Sequence, residues 1–115
     1  MSPVRLLPVL LLLAVSAARA QPAVFERCAA CHAGKAAMDG AGPSLVGVVG
    51  RKAGSRDDFR YSRALQRSSI VWSEANLDAY LRAPDQFLPG TRMAFEGMAS
   101  DAERKAVIEY LKTVK

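Results

Sequence analysis

Beyond residue 20 the apolar positions fall into short groups separated by polar and glycine-rich breaks, and the spacing inside the groups is helical. Val24, Phe25 and Cys28 lie at i, i+1 and i+4, which predicts a short first helix over Pro22 to Cys31. Ala33 to Ala41 is small and contains two glycines, so it reads as a loop. From Gly42 to Gly50 an apolar run is broken by glycines. A buried strand is one reading; the glycines favour an irregular segment lying against a flat surface. Arg51 to Asp58 reads as a polar loop, and Tyr61 to Gln66 as a short helix. A stronger helix opens at Trp72-Ser73-Glu74, with Ser73 as N-cap and Glu74 in the first turn. Leu77, Tyr80 and Leu81 repeat along it at i, i+3 and i+4, and Pro84 closes it. Ser100-Asp101-Ala102-Glu103 has the form of a capping box. It starts the last helix, on which Val107, Tyr110, Leu111 and Val114 form one stripe. No alternating β-branched strand and no internal repeat interrupts this pattern, so the expected class is all-α.

The first twenty residues follow a different rule. Met1 to Arg5 carries one positive charge, Leu6 to Val15 is an apolar run of ten, and Ala18-Arg19-Ala20 fits a small-x-small cleavage site. Ten residues make about 15 Å of helix, about half a bilayer core. Residues 1–20 are therefore expected to be a cleavable signal peptide, and 21–115 a single periplasmic domain with no membrane span after cleavage. Export also corrects the charge. Removing Arg5 and Arg19 from the 16 basic residues leaves 14 against 11 acidic ones, a formal +3. With no basic stripe interleaved with aromatics, nucleic-acid binding is not expected.

An oxidising compartment normally brings disulfides, yet the only two cysteines stand in Cys28-Ala29-Ala30-Cys31-His32. That spacing is the covalent haem attachment signature. Cysteines three apart share a helix face, so both thiols reach the vinyl groups of one porphyrin, and the following histidine lies beneath the ring to ligate iron. A zinc site would need another ligand of the usual kind, and His32 is the only histidine. A thioredoxin-like dithiol would need a βαβ pattern around it. One covalently bound haem c also supplies the apolar body that a 95-residue chain lacks for a core.

The opposite face of the iron decides function, because an open face admits catalysis and a strong ligand makes an electron carrier. Methionine is the natural candidate, from Met38, Met93 and Met98. Met38 follows His32 too closely to leave its side of the ring. Met98, beside Gly97 and before the last helix, is the second choice. Met93 lies in Pro89-Gly90-Thr91-Arg92-Met93, where proline and glycine stiffen a loop that can hold a thioether over a ring. Met93 as core filler is the plain alternative.

Across residues 24–115 the sequence resembles a class I cytochrome c of the mitochondrial and periplasmic short-chain type. The resemblance rests on Cys28 to His32, Gly42-Pro43, Leu45, Gly50 to Gly54, Tyr61-Ser62, Trp72, Leu77, Tyr80-Leu81, Pro84, Pro89-Gly90-Thr91, Met93, Phe95 and Tyr110-Leu111, in the family's order. It implies three to five helices wrapped around one haem held by His32 and Met93. It further implies that the Pro43 carbonyl accepts from the histidine ring and that Arg51, Tyr61 and Trp72 meet a buried propionate. Tyr80 and Thr91 would then surround the sulfur, Phe95 would cover the haem edge, and Phe25 would pack against Tyr110–Leu111. The sequence departs from the family at Leu65, where the mitochondrial type has a buried asparagine, and the loop before Gly42-Pro43 is one residue shorter.

The resemblance implies a monomeric one-electron carrier, not an enzyme, serving an oxidase, a quinol–cytochrome c reductase or a dehydrogenase. A dedicated subunit of one periplasmic dehydrogenase is the alternative reading; a peroxidase-type catalytic haem has no distal histidine or poised arginine to support it. Arg27, Lys35 and Arg92 are the expected docking cations, with Glu26 and Glu96 among them.

Overall fold

The structure is a computed structural model that describes residues 3–4 and 21–115, so the expected signal peptide, apart from Pro3 and Val4, lies outside the described residues. Among the described residues six α-helical segments follow a 3₁₀ turn at Ala23–Phe25: α1 (Glu26–His32), α2 (Gly34–Met38), α3 (Arg63–Arg67), α4 (Glu74–Arg82), α5 (Pro84–Phe87) and α6 (Asp101–Leu111). There is no strand among the described residues. One antiparallel bridge, Lys52 with Val71, runs beside the bonds Trp72 N–H to Arg51 O at 2.8 Å and Ala53 N–H to Ile70 O at 2.8 Å. That pairing sets Arg51 and Trp72 side by side.

Serine caps α3, α4 and α6, while α5 starts on Ala83 without a side-chain cap. Ser62 Oγ accepts from Leu65 N–H, Ser73 Oγ from Asn76 N–H and Ser100 Oγ from Glu103 N–H, at 3.2, 3.1 and 3.2 Å. Each bond satisfies an amide that the helix itself leaves free. Acidic residues in the first turns of α4 and α6, Glu74, Asp101 and Glu103, suit the positive end of the helix.

The core lies between α4, α6 and the 3₁₀ turn. Leu77, Tyr80 and Leu81 enter it from α4, and Val107, Ile108 and Leu111 from α6. Phe25, Val48, Trp72, Leu88 and Met98 complete it. Each large apolar side chain buried in this way contributes about 1.5–3 kcal/mol relative to exposure. Phe25 meets Tyr110 with ring centroids 4.8 Å apart, as the resemblance implied.

Four local expectations need correction. The first helix is split into a 3₁₀ turn and α1. The loop expected over 33–41 contains α2, because Lys35, Ala36, Ala37 and Met38 are helix-favouring residues, while the left-handed Gly34 follows the C-cap of α1. Pro84 ends α4 but also begins α5, where its missing N–H costs nothing. The stripe on α6 is centred on Val107, Ile108 and Leu111, and Val114 lies past its end.

Candidate haem site

The attachment motif occupies most of α1, with Cys28 half-buried, Cys31 exposed and neither in a disulfide. Burial pushes the Cys28 thiol up, against the opposing pull of the Arg27 charge. His32 closes the helix, and its Nδ1 lies 2.7 Å from the Pro43 carbonyl. A carbonyl only accepts, so Nδ1 carries the proton and Nε2 keeps its lone pair for a metal. The neighbour of that proline is equally constrained. A Cβ on Gly42 would stand 2.9 Å from both His32 Cε1 and Nδ1 and 3.1 Å from the Cys31 carbonyl. Only glycine lets the backbone come this close to the ring. No cluster of three or more His, Cys, Asp or Glu is placed to hold a metal ion among the described residues.

The methionine loop leaves α5 through Pro89-Gly90, with Gly90 at φ +90° and Thr91 N–H bonded to Leu88 O at 3.1 Å. Tyr80 Oη and Thr91 Oγ1 are 2.7 Å apart, and Met93 N–H reaches the same threonine oxygen at 3.5 Å. One hydroxyl therefore ties the core helix α4 to the turn that carries Met93. The three methionines part company here. Met38 is 86% exposed on α2, Met98 is 3% exposed inside the core with its N–H on Leu81 O at 2.8 Å, and Met93 is half-buried at the core's edge.

Trp72, Tyr80 and Phe87 form an aromatic group, with Trp72–Tyr80 centroids 5.0 Å apart and Tyr80–Phe87 6.1 Å apart. Tyr61 is also buried, edge-on to Phe59 at 5.0 Å. Within the protein neither the Trp72 indole N–H nor the Tyr61 hydroxyl has a hydrogen-bond partner among the described residues, and no buried side-chain N or O atom there is left sealed and unpaired. Both donors thus remain open to an acceptor from outside. Arg51 is half-buried and donates to Val46 O at 2.7 Å and Ser44 O at 3.2 Å, which uses part of a guanidinium with five donors. Burial draws its pKa down, but it remains a cation. Phe95 is half-buried beneath Arg27, whose Cζ is 5.0 Å from the ring centroid, and Glu96 lies 3.8 Å from the same guanidinium.

A cavity of about 360 Å³ borders His32 on the side of Phe25, Pro43, Leu45, Phe59 and Tyr110. The residues fit a covalent haem on three counts: two unpaired thiols three apart, an imidazole held in the metal-binding tautomer, and unpaired donors for a carboxylate. One residue that the sequence reading passed over is Arg104. It is 1% exposed and donates to Asp78 at 2.8 Å, Met98 O at 2.7 Å, Ala99 O at 3.1 Å and Asp101. It fastens the end of the methionine loop to α4. Only its place at i−3 from Val107 hints at burial.

Comparison with known proteins agrees with this geometry. The sequence model described as Cytochrome c matches residues 17–115. Cytochrome c2 iso-2 of Magnetospirillum molischianum is 47% identical over 94 residues, spanning 82% of this chain and 97% of that protein. Cytochrome c2 of Rhodoblastus acidophilus is 45% identical over 93 residues, spanning 80% and 87% respectively. Among solved structures, cytochrome cH from Methylobacterium extorquens superposes with a TM-score of 0.70 at 39% identity, covering 78% of this chain and 91% of that one. The chain belongs to the class I cytochrome c family, as an all-α monohaem electron carrier with one covalently attached haem c.

Proposed function

We propose that the chain is a periplasmic one-electron carrier in which Cys28 and Cys31 would anchor the haem and His32 and Met93 would ligate its iron. The observation that carries this is the His32 Nδ1–H bond to Pro43 O at 2.7 Å, which leaves Nε2 as the only free ring nitrogen. The bond also raises the basicity of the ligand. The bound haem supplies the one-electron iron couple. The protein's task is to change little as the charge changes. Gly42 and Pro43 hold the imidazole, and the Tyr80–Thr91 pair holds the turn before Met93. Trp72, Tyr61 and the spare donors of Arg51 serve a propionate, whose burial without partners would be costly. The buried aromatic group would keep water from the Met93 sulfur, and Phe95 would shield the haem. Partners are an oxidase, a quinol–cytochrome c reductase or a dehydrogenase. Cleavage of residues 1–20 delivers a monomer of residues 21–115 to the periplasm.

The test is made on protein exported in cells with haem maturation machinery. The expected product weighs the 21–115 chain plus one haem, keeps its haem through acid–acetone extraction and titrates as a single one-electron couple. Met93→Ala should abolish the weak sulfur-to-iron band near the red edge of the ferric spectrum and lower the potential. Haem lost on extraction, or a band that survives Met93→Ala, overturns the assignment.

A further inference from the structure

Of the charged side chains among the described residues, Arg104 alone is buried, at 1% exposure. It stands in the first turn of α6 with Asp101 and Glu103, where the helix dipole disfavours a cation. Taking a guanidinium out of water is also costly, and a well-packed apolar residue of similar size is often as stabilising. Stability alone therefore gives no reason for an arginine here. What an apolar side chain cannot do is join separate pieces of the fold through one planar group.

The pieces joined are α4, the segment before α6 and the start of α6. Arg104 Nε donates to Asp78 Oδ1 at 2.8 Å, Nη1 to Met98 O at 2.7 Å and to Ala99 O at 3.1 Å, and Nη2 to Asp101. Met98 N–H in turn reaches Leu81 O at 2.8 Å, a carbonyl that α4 leaves free at its last turn. Gly97, at φ +117°, lies so close to the Arg82 carbonyl that no Cβ fits. Residues 97–99 are thus pressed onto the end of α4, and Arg104 clamps them there.

This clamp closes a loop whose other end is also tied to α4. Thr91 Oγ1 meets Tyr80 Oη at 2.7 Å, and Tyr80 is the neighbour of Leu81 on the helix. Met93 sits between the two ties. Downstream of it, Phe95 N–H turns back to Met93 O at 2.9 Å, and the Met98 bond to Leu81 is the first hydrogen bond to another element among the described residues. Exposed Arg27 adds a stacked contact to Phe95 and an ion pair with Glu96 at 3.8 Å. Hydrogen bonds from a buried guanidinium are stronger than the neutral one between Tyr80 and Thr91, so the Arg104 end is the firmer of the two.

We propose that Arg104 is a positioning residue for the iron's sulfur ligand: by clamping Met98 and Ala99 to α4, it sets how rarely Met93 gives way to a competing ligand. This rests on the reading of Met93 as axial ligand. A loop released at one end holds its sulfur at a lower effective concentration over the haem. The open fraction then rises, and the apparent affinity for an outside ligand rises in proportion.

The probe is imidazole, titrated into the ferric haem-loaded protein at neutral pH and followed in the haem absorption spectrum, with a melting point taken on each sample. Arg104→Lys keeps the charge but lacks the fork that reaches several partners. It should bind imidazole about tenfold more tightly than wild type and exchange its Met98 amide hydrogen faster. Asp78→Ala cuts the same clamp at a part-exposed position on α4 and should move the affinity the same way, by about threefold or more. Ile108→Ala, one turn along α6, is the comparison: it empties a core position and melts lower, yet its imidazole affinity should stay within about twofold of wild type. Wild-type affinity in Arg104→Lys or in Asp78→Ala, or an Ile108→Ala affinity that rises as far as theirs, overturns the proposal and makes the arginine a structural part only. Met93→Ala separates the two readings, since it should bind imidazole more tightly than any of these. If it binds no better than wild type, the ligand assignment fails and the proposal falls with it; tight binding by Met93→Ala beside an unchanged Arg104→Lys overturns the clamp alone.

Discussion

Gly42→Ala tests the geometry that sets the histidine. The backbone at Gly42 has an ordinary φ, so alanine itself is not strained there and would gain about 0.4–1 kcal/mol by restricting the unfolded chain. The Cβ, however, arrives 2.9 Å from two atoms of the His32 ring and 3.1 Å from the Cys31 carbonyl. Ordinary contact begins near 3.4 Å, so the ring must retreat by about half an ångström. It cannot do so freely, because α1 holds one side and Pro43 the other. Overpacking of this kind costs about 1–3 kcal/mol, for a net loss of about 1–2 kcal/mol and a melting point about 5–15 °C lower in a domain of this size. The same retreat stretches the 2.7 Å bond to Pro43 O. Losing about 0.5–1 kcal/mol of that bond from the more basic, ferric-favouring state raises the potential by about 20–40 mV, at 59 mV for each 1.4 kcal/mol. The assay is paired calorimetry and potentiometry on the haem-loaded protein. Gly97→Ala, crowded against the Arg82 carbonyl and not against the histidine ring, serves as the comparison, since it should lower the melting point without that upward shift. An unchanged melting point, or an equal upward shift in both variants, refutes the reasoning.

Met98→Ala should cost about 2–5 kcal/mol in unfolding free energy, because it empties a core position, while leaving the sulfur-to-iron band in place. Loss of that band would show that the methionines have been assigned the wrong way round. Burial raises the Tyr80 pKa, chiefly against the bond to Thr91. The neutral phenol is thus favoured in the fold, and its stabilisation is complete below the ordinary value of 10.0 and lost as the pH rises through the raised folded value. Tyr80→Phe should lose about 0.5–1.5 kcal/mol at pH 8 yet fall less steeply than wild type above about pH 10 in thermal melts, and parallel curves would count against it. Leu65→Asn should shift the potential modestly with the fold kept, since the Leu65 backbone is held by Ser62 and Ser68 whatever the side chain. Identical potentials would separate this position from redox tuning.

What the sequence made legible follows from the range of each interaction. Serine caps and helical spacing act over a turn, and α4 and α6 were readable from them. The attachment motif is equally local, because both thiols and the histidine share one helix. The short helix α2 is hard to read because Gly34 looks like a breaker, and its left-handed φ of +53° does stand just past the C-cap of α1. The preference for Met93 over Met98 is readable from the Pro89-Gly90-Thr91 loop, whereas the burial of Met98 in the core depends on α4, α6 and the loop together. Arg104 is the clearest case. A charged residue in a polar-looking first turn reads as solvated, and only the fold supplies Asp78, Met98 O and Ala99 O to receive its donors.

The contact between Phe25 and Tyr110 joins opposite ends of the chain, and the bond from Gly47 N–H to Val114 O at 2.8 Å makes a second tie to the last residues. This fixes an order of events during synthesis. A ribosome delivers Cys28 and Cys31 early and α6 last, so the segment bearing the thiols has no packing partner until translation is almost complete. Closing so long a loop is entropically expensive and slow relative to local helix formation. The attachment segment is therefore left without its partner on α6 until the last residues have been made. A contact between residues 25 and 110 thus makes the packing of the first helix the last thing that translation permits.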